Sequence, residues 1–363
     1  MSRQRQPSLL PHTLAALAGL AIVYASLQPF GEWIEPDAAT PFFLFAPWPP
    51  RWTRFDALAN FLAYLPFGFF VAVISRERSA GSRLALGCAA GAALSFAMET
   101  LQMRLPPRDA NAIDLLANTA GSAMGALLGL LFRQAARLRD AIRGRRERWF
   151  LPGRTGDLGL ALLAIWLAAQ INPGIPLFAT VYDPTPQLGT FASVPPAVPD
   201  LAAVLVEAAH SALQMLGVGL FVALLVRERR YVGTAVTALV VAGLLFKGMA
   251  ALTLLKPAAW EHWLSPGVST GVAAGALALT LFIFLRRPVQ VASCAVALLS
   301  SLLATLLAPD LLYARAPLSL FNWNYGHLLS FNGLTRTVLM VWPIAASVFL
   351  FGLAGRPGWG EAR

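Results

Sequence analysis

Charged residues are scarce in this chain. Only 13% of its 363 residues carry a charge, whereas 57% are hydrophobic and the mean hydropathy is +0.62. Soluble globular domains carry about 25% charged residues, so this composition excludes a soluble globular fold. The sequence instead predicts a membrane protein that crosses the bilayer several times.

Cysteine and histidine are also sparse. The two cysteines, Cys88 and Cys294, lie inside apolar runs, which favours neither a disulfide framework nor a set of metal ligands. The histidines are scattered along the chain, at His12, His210, His262 and His327. The sequence contains no Walker loop, Rossmann glycine triad, zinc motif or local Ser-His-Asp signature, so we expect no metal and no cofactor.

Basic residues outnumber acidic ones, and the net charge is +10. In a soluble protein this excess would suggest nucleic acid, but here the arginines cluster in alternate loops between apolar runs, most densely in residues 133–155. The positive-inside rule explains this pattern, so we predict no nucleic-acid partner. The same rule places these loops and both chain termini in the cytoplasm.

Apolar runs of about 20 residues, the length that crosses about 30 Å of hydrocarbon, recur along the chain. They predict an all-α fold, a polytopic transmembrane bundle of about ten helices. The predicted spans are 11–30, 57–75, 84–103, 112–132, 157–172, 202–226, 231–255, 266–286, 288–308 and 336–355.

An internal repeat relates the two halves of the sequence. The matching segments are 56–78 with 207–229, and the matching glycines are Gly121 with Gly271 and Gly125 with Gly275. Because an even number of spans separates the copies, we predict a parallel duplication of a four-helix module. Convergence of two unrelated helix pairs that both end in basic loops stays the alternative.

The repeat divides the chain into four predicted parts. They are a four-helix module at 11–132, a basic cytoplasmic linker at 133–156, a second four-helix module at 157–286 and a two-helix C-terminal extension at 287–363. The second module is degenerate, and its residues at the positions of Asn60, Asp114 and Asn118 are Ser211, Leu264 and Val268. The sequence therefore places the chemistry in the first module.

Polar residues, proline and glycine recur at helical spacing in the first module. They are Asp56, Asn60, Pro66, Gly68, Glu99, Gln102, Arg108, Asp114, Asn118, Gly121 and Gly125. Polar side chains are costly at membrane depth, so their recurrence favours a functional site. The ordered set resembles the VanZ-like family through the segments DALAN (56–60), PFG (66–68), ETLQ (99–102), RDANAIDLLAN (108–118) and GSAMG (121–125).

The resemblance covers about residues 15–132. It implies a bacterial envelope protein, located in the inner membrane, of a family named for its association with glycopeptide resistance. Residues 287–363 add two spans that the basic domain of this family does not have.

Helical spacing places the polar residues on common faces. The residues that share a face are Asp56 with Asn60, Glu99 with Gln102, and Asp114 with Asn118, Gly121 and Gly125. The glycine pair lets a neighbouring helix approach closely, and Pro66 with Gly68 favours a kink in the second span. The predicted topology brings the polar groups together at the outer leaflet.

Several interpretations of this polar set stay open. The favoured one is binding of an anionic lipid or lipid-linked glycan, in which Arg108 engages an anionic group. The predicted ligand-binding residues are Asp56, Asn60, Glu99, Gln102, Arg108, Asp114 and Asn118. The partners expected are membrane lipids and a lipid-linked envelope precursor.

Three other interpretations compete with binding. The first is a hydrolase or transferase in which Glu99 and Asp114 act as acid and base. The second is a transporter, which the duplicated architecture favours. The third is a buried polar network that only joins helices, because intramembrane polar groups usually pair with one another.

A second polar segment lies in residues 318–336. Its hydrogen-bonding residues are Asn322, Trp323, Asn324, Tyr325, His327 and Asn332. Aromatic rings interleaved with amides can stack on sugars, but they also anchor a segment at the membrane interface. We predict an outer loop in which the anchoring role is the stronger one.

Overall fold

A computed structural model describes most of the chain. The described residues are 8–28, 30–37, 39–47, 53–75, 78–106, 108–180, 201–261, 263–307, 321–322 and 325–356, with side chains from 330 onward in the last segment. Within them the chain forms α-helices and no β-strand. The helices are α1 (Leu10–Leu27), α2 (Arg54–Ile74), α3 (Ala80–Gln102), α4 (Ala112–Gln134), α5 (Ala136–Trp149), α6 (Gly153–Ala169), α7 (Leu201–Leu225), α8 (Val232–Leu254), α9 (Pro266–Phe282), α10 (Arg287–Leu307) and α11 (Tyr325–Ala354).

Eight of the described helices are long and apolar enough to cross a membrane, namely α1 to α4, α7, α8, α10 and α11. The predicted fold class, a polytopic helical bundle, is confirmed. The fifth and eighth predicted spans fall on α6 and α9, which have 17 residues each. At a rise of about 1.5 Å per residue, such a helix is about 26 Å long, slightly less than the hydrocarbon thickness.

Side-chain caps fix where several of these helices begin. The cap residues of α2, α3, α4 and α9 each accept a hydrogen bond from the backbone N–H three residues further on, and they are Thr53, Ser79, Asn111 and Ser265. Such a cap satisfies one of the backbone donors that the first turn of a helix leaves unpaired. The local sequence therefore sets the level at which α2 and α4 begin.

The chain divides into two compact units. The first unit comprises Met1–Arg146 with Gly326–Leu334, and the second comprises Glu147–Tyr325 with Thr335–Arg363. Within the first unit, α2 packs closely on α4, α3 packs on α4, and α1 contacts both α2 and α3. Within the second unit, α7 packs against α9 and α10.

The unit boundaries differ from the predicted domains in two places. The segment 133–156, predicted as a linker, contains the helix α5 and the boundary itself. In the segment 287–363, predicted as a two-helix extension, α10 packs on α7 and the start of α11 groups with the first unit.

The predicted outer loop at 318–336 is also different in the structure, since it is helical from Tyr325 onward. Trp323 and Asn324 lie outside the described residues, as do the side chains of Tyr325 and His327. The side chain of Asn322 donates a hydrogen bond to the carbonyl oxygen of Leu255 at 2.8 Å.

Candidate functional site

The helices α2 and α4 pack backbone against backbone. A glycine recurs every fourth residue along one face of α4, and a Cβ atom added at any of them would crowd a carbonyl oxygen of α2. The facing pairs are Gly121 with Phe61, Gly125 with Leu65 and Gly129 with Phe69. Small residues allow this close approach in a membrane, so the glycines hold the polar first turns of α4 against α2.

A glycine of α2 contributes to the same packing. A Cβ atom at Gly68 would collide with the backbone and side chain of Ser122 in α4. The hydroxyl of Ser122 in turn donates a hydrogen bond to the carbonyl oxygen of Gly87 in α3 at 2.8 Å. Pro66 lies two residues earlier inside α2, which continues through it. The middle of the first unit is therefore closed by three tightly packed helices.

Asp114 lies in the first turn of α4 and is held on both carboxylate oxygens. Its Oδ1 accepts a hydrogen bond from Asn60 Nδ2 at 2.6 Å, and its Oδ2 accepts one from Asn111 Nδ2 at 2.8 Å. The backbone N–H of Asp114 donates to Asn111 Oδ1 at 2.9 Å. A negative charge is favoured at a helix N-terminus, so Asp114 is fixed by charge as well as by hydrogen bonds.

Glu99 lies in the last turn of α3 and is buried, with 3% of its surface exposed. Its Oε2 accepts a hydrogen bond from the backbone N–H of Asn111 at 3.0 Å. Its Oε1 accepts no hydrogen bond from the described residues. Asp114 and Arg108 lie close enough for their charges to act on it. Among the described residues, Glu99 is thus held through Oε2 alone.

Asn118 lies one turn further along α4 and is also buried. Its Nδ2 donates to Ser95 Oγ of α3 at 2.9 Å, whereas its Oδ1 is buried and has no hydrogen-bond partner among the described residues. Exchanging the amide oxygen and nitrogen would only move the unpaired atom, because Ser95 can bond one of them at a time. An unpaired buried polar atom costs about 1–3 kcal/mol.

Arg108 lies in the connection between α3 and α4 and reaches the end of α1. Its Nε donates to the carbonyl oxygen of Gln28 at 3.1 Å, and its Nη2 donates to that of Ala25 at 2.6 Å and to Ser330 Oγ. Its Nη1 makes no hydrogen bond with the described residues. The guanidinium therefore braces the end of α1.

Burial lowers the pKa of the Arg108 guanidinium, while the nearby carboxylates of Glu99 and Asp114 act in the opposite direction. An arginine remains protonated at any physiological pH even when its pKa falls, because its ordinary pKa lies above about 12. The site consequently holds one cation beside two carboxyl groups.

Gln102 and Asp56 lie at helix ends beside this arrangement. Gln102 Nε2 donates to the carbonyl oxygen of Ser26 at 2.8 Å, which ties the end of α3 to the end of α1. Asp56 and Thr53 form a reciprocal capping box at the start of α2, with both hydrogen bonds at 3.2 Å. The second arginine near Arg108 in sequence, Arg104, forms an exposed ion pair with Glu35.

The sequence analysis missed several residues that contact this site, among them Ser95, Asn111 and Ser330. Asn111 had a usable signal, because an amide three residues before a helical Asp is a typical cap. Ser95 lies one helical turn before Glu99 and so shares its face. Ser330 had none, since 222 residues separate it from Arg108.

We use the term polar cluster for the residues that converge at this end of the first unit. Its members are Asn60, Ser95, Glu99, Arg108, Asn111, Asp114 and Asn118. The part of the chain that the structure describes contains no group of three or more His, Cys, Asp or Glu side chains suited to a metal ion. The polar cluster is rich in amide and carboxylate oxygens, with one guanidinium at its edge.

Comparison with known proteins identifies a family that the region containing this cluster matches. Residues 6–133 match the VanZ/LLP1 family. No curated protein and no solved structure matches the chain. The match includes α1 to α4 and every member of the polar cluster. Residues 6–133 therefore form a VanZ-like domain, and the eight apolar helices of the described residues indicate a membrane protein.

Proposed function

We propose that the VanZ-like domain binds the head group of an anionic envelope lipid or lipid-linked glycan in the polar cluster. The observation that supports the proposal is the buried Oδ1 of Asn118, which has no hydrogen-bond partner in the described part of the chain. A purely structural contact between α3 and α4 would be stronger without it, since leaving a buried acceptor unpaired is costly. A ligand donor would remove that cost.

The open atoms of the polar cluster define the chemistry of such a ligand. Asn118 Oδ1 and Glu99 Oε1 are acceptors, so they fit hydroxyl or amine groups. Arg108 Nη1 is a charged donor, so it fits a phosphate oxygen. Hydroxyl or amine groups beside a phosphate are the features of a phospholipid head group and of a lipid-linked glycan.

We place this domain in the cytoplasmic membrane of a bacterium, with both termini cytoplasmic and the polar cluster at the outer leaflet. The arginine-rich α5 follows the opposite end of α4, and such segments remain in the cytoplasm by the positive-inside rule. A lipid-linked envelope precursor as ligand would explain the link to glycopeptide resistance that the family resemblance suggests.

A second candidate function is hydrolysis or group transfer, favoured by the contrast between the two carboxylates. Both oxygens of Asp114 are held by amides, whereas Glu99 has one open oxygen. In this mechanism Glu99 would move the proton as acid or base, and Asp114 would remain a fixed charge that orients Asn60 and Asn111.

The test is native mass spectrometry of the gently purified protein, scored for co-purifying lipids. The test variant is Ser95→Ala with Asn118→Leu, which removes both partners of one hydrogen bond and the unpaired oxygen. The matched control is Gln214→Leu with Ser301→Ala, because Gln214 Nε2 donates to Ser301 Oγ at 2.7 Å in the second unit. Both variants lose one buried amide–hydroxyl pair.

We expect phosphate-bearing lipid adducts on the parent and the control variant and their loss from the test variant. The free energy of unfolding of the test variant should be unchanged or higher, since replacing both partners by apolar groups is often neutral or stabilising. Equal adducts on all three proteins would refute binding in the polar cluster. Turnover that disappears in Glu99→Gln while the adduct persists would favour the enzyme.

A further inference from the structure

The helix α5 is exposed along much of its length. Ala136 to Arg143 are exposed, and α5 contains no buried residue. Two of the exposed side chains are large and apolar, with Leu138 at 53% and Ile142 at 49% exposure. A helix of 14 residues is marginal in water without a covering surface. Its exposed apolar side chains therefore raise the question of what covers them.

The position of α5 in the chain restricts the answer. Its first residue follows the end of the membrane-spanning α4 after a single residue, Ala135, whose φ of −73° and ψ of 69° are not helical. The α4 axis therefore ends at Ala135. Nη1 of Arg139 donates to the carbonyl oxygen of Arg133 at 2.9 Å and ties the start of α5 to the end of α4. The helix consequently lies where α4 leaves the membrane.

The residues of α5 are arranged around its axis in the pattern of an interfacial helix. At about 100° per residue, Leu138 and Ile142 lie only about 40° apart and form one apolar stripe. Arg137 lies about 100° to one side of Leu138, and Arg139 lies about 100° to the other. Asp140 lies on the far face, about 160° from Leu138.

The charge of α5 is strongly positive, with six arginines against two acidic residues in the sequence ARLRDAIRGRRERW. Arginines that flank an apolar stripe can extend their side chains to lipid phosphates while the stripe enters the hydrocarbon. Each basic residue near an anionic membrane surface contributes about 1 kcal/mol.

We propose that α5 lies on an anionic lipid surface, with Leu138 and Ile142 inserted among the acyl chains and the flanking arginines bound to lipid phosphates. Two apolar side chains alone would hold a free helix weakly. Here α4 keeps α5 at the surface, so the translational entropy of binding is already lost and a small gain is sufficient. The site is separate from the polar cluster, which lies at the other end of α4.

The test compares two positions that are both exposed in the protein. Leu138 is 53% exposed, and the side chain of Asp140 is 69% exposed. Single-cysteine variants Leu138→Cys and Asp140→Cys are made in a full-length background without Cys88 and Cys294. Each carries an environment-sensitive fluorophore in nanodiscs of phosphatidylcholine alone or with phosphatidylglycerol.

With phosphatidylglycerol present, the label at position 138 should shift its emission to the blue and lose quenching by iodide, whereas the label at position 140 should remain quenched. Equal quenching at the two positions in these discs would overturn the proposal. The comparison does not depend on ligand binding elsewhere in the protein.

The role of charge has its own control. Arg137→Gln with Arg143→Gln should lower the equilibrium constant for the lipid-bound state of α5 about fivefold per arginine and restore quenching at position 138. The matched variant Arg137→Lys with Arg143→Lys keeps the charge and should stay shielded. Unchanged shielding in the glutamine variant would exclude anionic lipid as the cause. Shielding found only in discs with two protein copies would identify a second chain as the partner instead.

Discussion

Close glycine packing occurs in two helix pairs, α2/α4 of the first unit and α7/α9 of the second. Glycines of α9 face carbonyl oxygens of α7 just as those of α4 face α2, and the pairs are Gly271 with Ala208 and Gly275 with Ala212. The second helix of each pair begins at a side-chain cap, Asn111 or Ser265. The same local chemistry therefore brings two helices together in each unit.

The pairs differ in the residues that follow the cap. The third residue after the cap is Asp114 in α4 and Val268 in α9, and the seventh is Asn118 in α4 and Val272 in α9. Val268 is fully buried and α9 still packs closely on α7. Close packing consequently does not require a carboxylate or an amide at these positions, and the polar cluster of the first unit has to be explained by something else.

The parallel duplication stays a proposal, and the contacts sharpen its register. Phe61 matches Ala212 in the sequence repeat, and these residues face Gly121 and Gly275. The caps give the same correspondence, because Asn111 then matches Ser265. In this register Gly275 matches Gly121. The sequence alone had matched Gly121 with Gly271, which lies one helical turn earlier.

The largest effect is expected from disrupting the close glycine packing that the two helix pairs share. Gly125→Leu should abolish the folded protein, because even a Cβ atom there would collide with the carbonyl oxygen of Leu65. Overpacking costs about 1–3 kcal/mol where the surroundings can shift. The backbone of α2 cannot shift in this way, so the cost at Gly125 should exceed that range. The measurement is the yield of monodisperse protein in detergent. Gly248→Leu, with nothing near the added Cβ, is the control. Equal yields would show that the close packing is not needed.

A smaller effect is expected from moving the carboxylate of one pair into the other. Val268→Asp buries a charge without the amide partners of Asp114 and should lower the free energy of unfolding by about 3–5 kcal/mol. Adding Ser211→Asn supplies the amide that Asn60 provides in the first unit and should recover part of that loss. The measurement is thermal unfolding in detergent. Failure of the second change to recover stability would count against the proposed register.

The smallest effect is expected at the two caps. Asn111→Ala removes the cap of α4 and a hydrogen bond to Asp114, and should cost about 1–2 kcal/mol. Ser265→Ala removes the cap of α9 and should cost about 1 kcal/mol. Asn111→Ser restores the cap without the amide, so thermal unfolding should place it between Asn111→Ala and the parent. If Asn111→Ser is as unstable as Asn111→Ala, the whole loss of stability comes from the missing bond with Asp114.

Much of the fold followed from the sequence because membrane helices have a strong local signal. Runs of apolar residues located all ten predicted spans on helices, although α6 and α9 proved shorter. The helix α5 gave no such signal. Its arginines made it resemble a linker, and its apolar stripe consists of two residues.

The polar cluster was only partly accessible to sequence reasoning. Spacing along a helix grouped Asp114 with Asn118, because both lie on one face of α4. It could not show that Asn111 connects Glu99 to Asp114, since that link depends on how α3 and α4 meet. The contact of Arg108 with Ser330 could not be predicted from the sequence, because the start of α11 groups with the first unit through tertiary packing alone.

The glycine contacts between α2 and α4 also determine which helices can move. Backbones that touch without intervening side chains can shift past one another only by a whole turn, about 5.4 Å. The end of α1 is held differently, by side-chain bonds from Gln102 to Ser26 and from Arg108 to Ala25. Such bonds can break and reform while the helices keep their register. The packing thus allows the end of α1 to shift while α2 and α4 keep their register.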